Sequence, residues 1–283
     1  MISVLQLGTV DYATGLRLQQ RLVELRKNGA VGDIILLLEH TPVITLGRNA
    51  KAANIVASRE ELSRRRVEVF ECDRGGDVTF HGPGQLVAYP IFDLRRMTSA
   101  DGKRKTLGAI EYVRRLEQVL IRTCADFKIP AKRIAGLTGV WTDPSSLSSR
   151  AEQEDSLANP PEKSRDLLLV AEAKIAALGV HISRAVTSHG FALNVNTDLD
   201  YFNLIIPCGI TAKPVTSMEK ELGKKLPLQE VAHSVSRNFG AVFQSQMLWL
   251  ETLDDLLGSA VGVPLRTPDA LRKLRGDEDS TWA

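Results

Sequence analysis

Arg74–Pro90, RGGDVTFHGPGQLVAYP, is the stretch around which the rest of the chain is organised. It holds four glycines with an arginine, a histidine and a glutamine between them. Gly75-Gly76 and Gly82-Pro83-Gly84 permit tight turns and close approach of the main chain to a ligand. Gln85–Pro90 (QLVAYP) then alternates as a strand does. A loop this costly in backbone entropy, set between two strands, positions something. Glycine pairs also occur as plain hairpin turns, but Arg74, His81 and Gln85 argue here for a ligand.

Upstream, Ile2–Leu7 reads as a strand. Tyr12–Asn28 reads as an amphipathic helix with Leu16, Leu18, Leu22, Val23 and Leu25, closed by Asn28-Gly29. Asp33–Glu39 is a continuous apolar run and a buried strand, and Val43–Leu46 continues as another after the Thr41-Pro42 turn. Ser58–Arg66 is a short helix with Ser58 as N-cap and Glu60 and Glu61 in its first turn. Downstream, Gly108–Phe127 is a helix whose apolar stripe is Leu107, Ile110, Val113, Leu116, Leu120 and Ile121. Val140-Trp141 is a short strand. Leu167–Val180 and His189–Asn196 read as strands, and Asp198–Phe202 as a turn or short helical piece. Thr216 and Glu219 stand at capping-box spacing. Leu228–Phe243 and Met247–Leu257 read as helices. Strands and helices mix without regular alternation, which favours α+β, a mixed sheet packed with helices, over a doubly wound sheet.

The chain has 283 residues, 43% hydrophobic and 25% charged, ordinary for a globular protein. It reads as one catalytic domain over 1–257, interrupted by a Ser-, Pro- and charge-rich surface insertion at 143–165 and followed by a weakly patterned tail, 258–283. The net charge of +2 makes no global case for nucleic acid. No apolar run is long enough to span a membrane. The N-terminus lacks the marks of a signal or transit peptide. Cys72, Cys124 and Cys208 have no metal-like spacing, and an odd count of cysteines points to reduced thiols in a cytoplasm, or in a mitochondrial matrix if the chain is a processed one.

Cys208 lies in IIPCGI, where Pro207 fixes the backbone before it and Gly209 opens the main chain after it. A thiol on a rigid loop with approachable N–H groups suits acyl transfer: the thiolate attacks a thioester and nearby donors hold the oxyanion. The competing reading is a packed apolar cysteine. Cys124 falls within a helix and reads as core, while Cys72, close to Arg74, is a lesser candidate. Lys174 interrupts the apolar run LLLVAEAKIAALGV. Desolvation makes such a lysine a usable base; the alternative is an edge-strand lysine that blocks aggregation. His81 and His189, both beside glycines, are alternative bases or pocket-shaping hydrogen bonders. His40 reads as structural. No two histidines are spaced as metal ligands on one element.

The stretch RGGDVTFHGPGQLVAYPIFDL resembles the signature of the lipoate-protein octanoyltransferases, also called lipoyl(octanoyl) transferases. LEHTPVITLGR (38–48), TGVW (138–141), KIAALG (174–179), HGFALN (189–194) and PCG (207–209) follow in that family's order, and the resemblance runs from about residue 3 to about residue 245. It implies the α+β catalytic domain shared with lipoate and biotin protein ligases. It also implies that Cys208 carries an acyl thioester and that Lys174 forms a dyad with it. Arg74, Gly75, Gly76, Asp77, Val78, Thr79, Phe80 and His81 would line the substrate pocket. Ala177, Leu178 and Gly179, with Gly190, Phe191 and Ala192, would flank the acyl chain. Small and apolar side chains suit that role, since each buried CH₂ is worth roughly 0.8 kcal/mol.

The implied donor is octanoyl-acyl carrier protein. The implied acceptors are lysines on lipoyl domains of 2-oxoacid dehydrogenase complexes and on glycine cleavage H protein. The thioester carries the driving force, so the reading calls for no cofactor, nucleotide or metal, and for a monomer. Basic clusters at Arg64–Arg66, Arg95-Arg96, Lys103–Lys105 and Arg114-Arg115 are solvated surface or, as a set, a steering field for an acidic carrier protein. The insertion at 143–165 departs from the family, where a shorter connection is expected. The rival readings are an ATP-dependent lipoate or biotin ligase of the same fold, and a non-catalytic acyl-carrier-binding protein.

Overall fold

A computed structural model describes residues 1–98, 106–143, 172–207 and 213–257. Cys208, Gly209, Lys103–Lys105, the insertion beyond Asp143 and the 258–283 tail therefore lie outside the described residues.

Strands β1 (Ile2–Val10), β2 (Asp33–His40), β6 (Gln85–Ile91), β7 (Ala131–Ile134), β8 (Leu137–Thr142), β9 (Lys174–Ser183), β10 (Val186–Asn194) and β11 (Met247–Leu250) form one mixed sheet, ordered β11-β1-β2-β6-β10-β9-β8-β7. The β11-β1-β2 third is parallel and the remaining pairings are antiparallel. A smaller sheet, β4-β3-β5, joins β3 (Val43–Leu46), β4 (Glu68–Glu71) and β5 (Val78–His81). These layers are the α+β architecture read from the mixed order of strands and helices.

Helix α1 (Tyr12–Lys27) starts at Asp11, whose carboxylate accepts the Thr14 N–H at 3.0 Å. Its buried Leu18, Leu22, Val23 and Leu25 cover one face of the large sheet, against Leu36, Leu38, Val87, Tyr89 and Ala192. The opposite face carries α3 (Ala109–Asp126) and α5 (Leu228–Phe243), packed over Ile35, Leu37, Leu86, Ala88 and Leu193. Short α2 (Arg59–Arg64), capped by Ser58 as expected, closes a third cluster around the small sheet: Ile44, Leu62, Val78, Phe80, Leu204 and Ile205.

Several elements differ from the sequence reading. Gln85–Ile91 is buried at every position, because β2 and β10 flank it and both faces are covered; its apparent alternation is not a wet-and-dry pattern. The buried face of α3 is Tyr112, Leu116, Val119, Leu120, Thr123 and Cys124, and Ile110 is 81% exposed. The face is rotated from the expected stripe because Glu117, at 0% exposure, sits inside it, paired with Arg114 and Arg133. Met247–Leu257 is not one helix. Its first part is β11, a parallel edge strand beside β1, followed by α6 (Leu253–Leu257). The cap of α4 (Met218–Leu222) is Ser217, which accepts the Lys220 N–H, while Thr216 donates instead to Glu221. Finally, β9 and β10 meet in a two-residue hairpin at Arg184-Ala185, with φ of 50° and 65°. This is the backbone of a type I′ turn without the usual Asn or Gly.

The rotated face of α3 makes a direct test. Leu116→Ala will cost about 2–5 kcal/mol of unfolding free energy. Ile110→Ala will stay within about 0.5 kcal/mol of the parent. Urea titrations followed by tryptophan fluorescence give both values, and a larger loss at Ile110 would restore the stripe expected from sequence.

Candidate active site

Where the small sheet meets the large one there is a cleft. Its walls come from the Arg74–Asp77 loop, β5, β6, β9, β10 and the start of α1. Of the residues expected from sequence, Arg74, Gly76, Asp77, Val78, Thr79, His81, Ala177, Leu178, Gly179, Gly190, Phe191 and Ala192 border it. Phe80 does not: its ring turns to the other side of β5 and stacks on Tyr201 at 4.7 Å. Gly75 is also absent from the wall, and its N–H instead donates to Val180 O at 3.0 Å. Phe191 borders the cleft while its ring stacks on Phe239 of α5. His189, Tyr12, Val87 and Tyr89 complete the wall; the last three were not singled out from sequence. Val87 and Tyr89 were legible in principle, since period two puts them on one face of the QLVAYP strand. Nothing local marks Tyr12.

The two glycine turns separate in role. Gly82–Gly84 is a structural turn. Its Gly84 N–H donates to Glu39 Oε2 at 2.6 Å, and Gly84 O accepts from Asn196 N at 2.8 Å. Gly75-Gly76 forms the cleft's rim, laced to the preceding strand through Arg48 N to Arg74 O and Asn49 N to Gly76 O. A Cβ on Gly179 would stand 2.7 Å from Gly75 O, so the rim can close on β9 only over glycine. Arg74 is buried, and its guanidinium is spent on the fold: Nη2 donates to Thr45 O at 2.7 Å and to Thr45 Oγ1 at 2.9 Å.

Burial holds His40 and His81 neutral. His40 Nδ1–H donates to Val10 O, and Tyr89 donates to His40 Nε2 at 2.6 Å. Burial pushes His40 down to about 4, in line with a structural role. His81 Nδ1 donates to Gln85 Oε1 at 2.7 Å, and burial with the neighbouring His40 pushes it down to about 3. His189 is in the left-handed region, φ 54°, with its N–H on Gln19 Oε1. Its Nε2–H meets Asp73 Oδ1 at 2.7 Å; burial lowers its pKa, against the pull of that carboxylate. It thus ties β10 to a side chain of the rim loop rather than to loop backbone. Burial works to raise Asp73, but His189 and His181 prevail and hold it below the usual carboxylate range.

Lys174 opens β9, which lies between β8 and β10 and is not an edge. It is buried and borders a second, smaller cavity with Thr79, Gln85, Ala177, Ala192, Asn194, Phe202, Pro207 and Val215. Thr79, Ala177 and Ala192 border both cavities, so the second adjoins the cleft at its Lys174 end. Cys208 follows Pro207, and the chain on either side of 208–212 is pinned at this end. Upstream, Ile206 N donates to Asn54 O at 2.7 Å, and Asn54 Nδ2 in turn donates to Asp77 at 2.6 Å. Downstream, Lys174 N donates to Pro214 O at 2.8 Å and Thr216 N to Lys174 O at 3.0 Å. Cys124 is core, its thiol pushed up to about 12 by burial. Cys72 is half-buried, with its thiol on Leu46 O at 3.4 Å, and borders neither cavity. Among the basic clusters, Arg64 and Arg65 pair with Glu61, Arg95 with Asp93, Arg114 with Glu117 and Arg115 with Glu111.

Buried neutral histidines leave a pH signature. Their folded pKa values lie below the unfolded one of about 6.5, so the unfolded chain binds more protons between the two. Stability is whole above pH 6.5 and is lost as pH falls toward the folded values. With His40 near 4, its share of the loss between pH 7 and pH 4 is on the order of 3 kcal/mol. Urea unfolding at stepped pH will show this decline, and His40→Gln will flatten it. An unchanged slope in that variant would mean that His40 is charged in the fold.

The family profile described as the lipoyl protein ligase A/B catalytic domain matches residues 11–240. An octanoyltransferase of Koribacter versatilis is 58% identical over 278 residues, covering 98% of each chain. One of Acidobacterium capsulatum is 52% identical over 259 residues, covering 91% of this chain and 96% of that one. Among solved structures, a bipartite lipoate protein ligase of Thermoplasma acidophilum superposes with a TM-score of 0.62 at 14% identity, over 96% of this chain and 91% of that one, a likeness of fold alone. The chain belongs to the lipoyl protein ligase A/B catalytic domain family and stands among its octanoyltransferases.

Proposed function

We propose that the chain transfers an octanoyl group from the thioester of an acyl carrier protein to a lysine of a lipoyl domain, through a thioester on Cys208. The observation that carries this reading is the adjacency of the two cavities. A slot bordered by Val78, Ala177, Gly179, Gly190 and Ala192 adjoins the cavity shared by Lys174 and Pro207, the residue before Cys208. Along β9, Lys174 to Gly179 spans about 17 Å at the usual strand rise, a length that matches an extended saturated chain with its carbonyl at the Lys174 end.

In the first half-reaction the Cys208 thiolate attacks the donor's carbonyl carbon. The new S–C bond forms, the tetrahedral intermediate collapses, and the carrier's thiol leaves and takes up a proton. Lys174 is assigned to stabilise that thiolate. In the second half-reaction the neutral ε-amine of the acceptor lysine attacks the acyl-Cys208 carbonyl. The amide forms, Cys208 leaves as thiolate, and the amine's surplus proton is released. Lys174 holds the restored thiolate as it did before. Pro207 also borders an outer groove with Leu199, Asp200, Ile206, Lys213 and Lys220, which gives a protein-borne lysine or pantetheine arm an approach from solvent. His81, hydrogen-bonded to Gln85 and pushed far down by burial, shapes the slot rather than trading protons in it. The octanoyltransferase relatives support the substrate class, and lipoyl domains follow as acceptors from the family.

Incubating the protein with octanoyl-acyl carrier protein and no ATP will add one octanoyl mass to the peptide holding Cys208. Adding a lipoyl domain will clear it. Cys208→Ala will abolish the adduct, and Lys174→Ala will slow its formation by about 10²-fold or more. Lipoyl-domain modification that appears only with ATP and free octanoate would replace this reading with the ligase.

A further inference from the structure

His189 stands on the boundary between the cleft and a further cavity, beside α1, that the proposed reaction does not use. Among the described residues it alone borders both. The β9–β10 register sets it opposite Val180, three residues beyond the Ala177–Ala192 pair at which the cleft adjoins the Lys174 cavity. That separation is about 10 Å at the usual strand rise. His189 therefore lies at the end of the cleft away from Lys174.

Its ring is not where the period of the strand would put it. On β10, Phe191 and Leu193 pack toward α3 and α5, while Ala192 packs toward α1. Period two assigns His189 to the side of Phe191. Its φ of 54° turns it to the α1 side instead, where its N–H donates to Gln19 Oε1 at 2.8 Å and its ring meets Tyr89 edge-on, 6.2 Å between centroids. A residue other than glycine persists at such a φ only where its surroundings hold it. Asp73 supplies the hold, accepting from His189 Nε2 at 2.7 Å. Asp73 also faces His181 Nε2 at 3.6 Å, and Arg48 donates to His181 Nδ1 at 2.6 Å. Behind the ring the further cavity is lined by Gln19, Glu24, Lys27, Asp73, Ser183 and Ser188. Gln19 is buried, and its Nε2 has no hydrogen-bond partner. An alkyl end pushed past the ring would leave a slot walled by Val78, Ala177 and Ala192 for polar groups it cannot bond.

We propose that His189 is a specificity-determining residue: its ring, latched by Asp73, is the wall that stops the methyl end of the acyl chain and sets the length the slot accepts. This rests on the reading of the cleft as the acyl slot, with the carbonyl at the Lys174 end. Asp73 is then a positioning residue, acting on the chain only through the ring it holds.

The test is a competition. The protein and a lipoyl domain are given octanoyl-, decanoyl- and dodecanoyl-acyl carrier protein in equal amounts, and the first products are counted by intact mass, so that their ratio reads relative kcat/KM. The wild type will make chiefly the octanoyl product. His189→Gly removes the wall and keeps the backbone, since glycine takes a φ of 54° without strain. It will raise the dodecanoyl-to-octanoyl ratio about tenfold or more. Asp73→Ala, at a carboxylate that is 55% exposed, frees the ring and will raise the ratio by less. It decides the matter if the glycine variant does not fold, as thermal melts will show, and an unchanged ratio there would then overturn the proposal. In folded His189→Gly, a rate loss shared equally by all three chains would show a merely structural histidine and overturn it. So would a wild type that takes dodecanoyl as readily as octanoyl. No transfer from any of the three carriers by the wild type would overturn the proposed function, and the length stop with it.

Discussion

The functional end of this molecule depends on backbone meeting backbone without side chains between. The Arg74–Gly76 turn lies directly against β9: Gly75 donates to Val180 O, and any Cβ on Gly179 would collide with Gly75 O. On the neighbouring strand a Cβ on Gly190 would stand 2.2 Å from Ala88 O. The first of these approaches joins the loop of the small sheet to the large one, and the second is between β10 and β6 within the large sheet; a narrow slot is left where the two sheets meet. Arg74 secures the arrangement from inside. Its guanidinium ends on Thr45 rather than in the slot, so a residue with the look of a ligand-binding arginine is a fastener of the fold.

Around the slot, buried polar side chains hydrogen-bond one another. His81 is bonded to Gln85, Gln85 to Asn194, Asn194 to Thr216 O, and Thr216 N to Lys174 O. A continuous buried chain thus links the wall of the slot to the backbone of the proposed catalytic lysine. Leaving any member unpaired would cost about 1–3 kcal/mol, which favours one arrangement over alternatives. The same economy explains the neutral histidines: a charged imidazole beside an alkyl chain would be poorly solvated there. At the Lys174 end the lysine's ammonium lies over the Trp141 ring.

Much of this was legible in the chain because it depends on local chemistry. The Asp33–His40 and Leu228–Phe243 elements follow from apolar runs and period, and the glycines of 75–76 mark a backbone that must come close to something. What misled were features whose meaning is set by neighbours. Ile110 fits a helical stripe, but the buried face of α3 turned so that Glu117 could reach Arg133. Met247–Leu250 could continue either a helix or a strand, and the free edge of β1 chose the strand. Arg184-Ala185 gives no turn signal, and only the pairing of Ser183 with Val186 forces both residues to positive φ.

The amino-acid sequence by itself determined the class of fold, the family motifs and the identity of the residues around the slot. These rest on period, turn chemistry and a few side chains that chemistry needs. Only the tertiary structure decided which of the two glycine turns borders the slot, that Phe80 turns away from it and Arg74 is tied to Thr45, and that Tyr12, Val87 and Tyr89 join its wall. It also decided that Trp141 lies under both Lys174 and Lys213, residues far apart in the chain. The reason is physical. A local pattern records what a residue can do with its near neighbours, whereas the direction of a side chain and the company of a charge are set by strands that meet only once the sheets have closed.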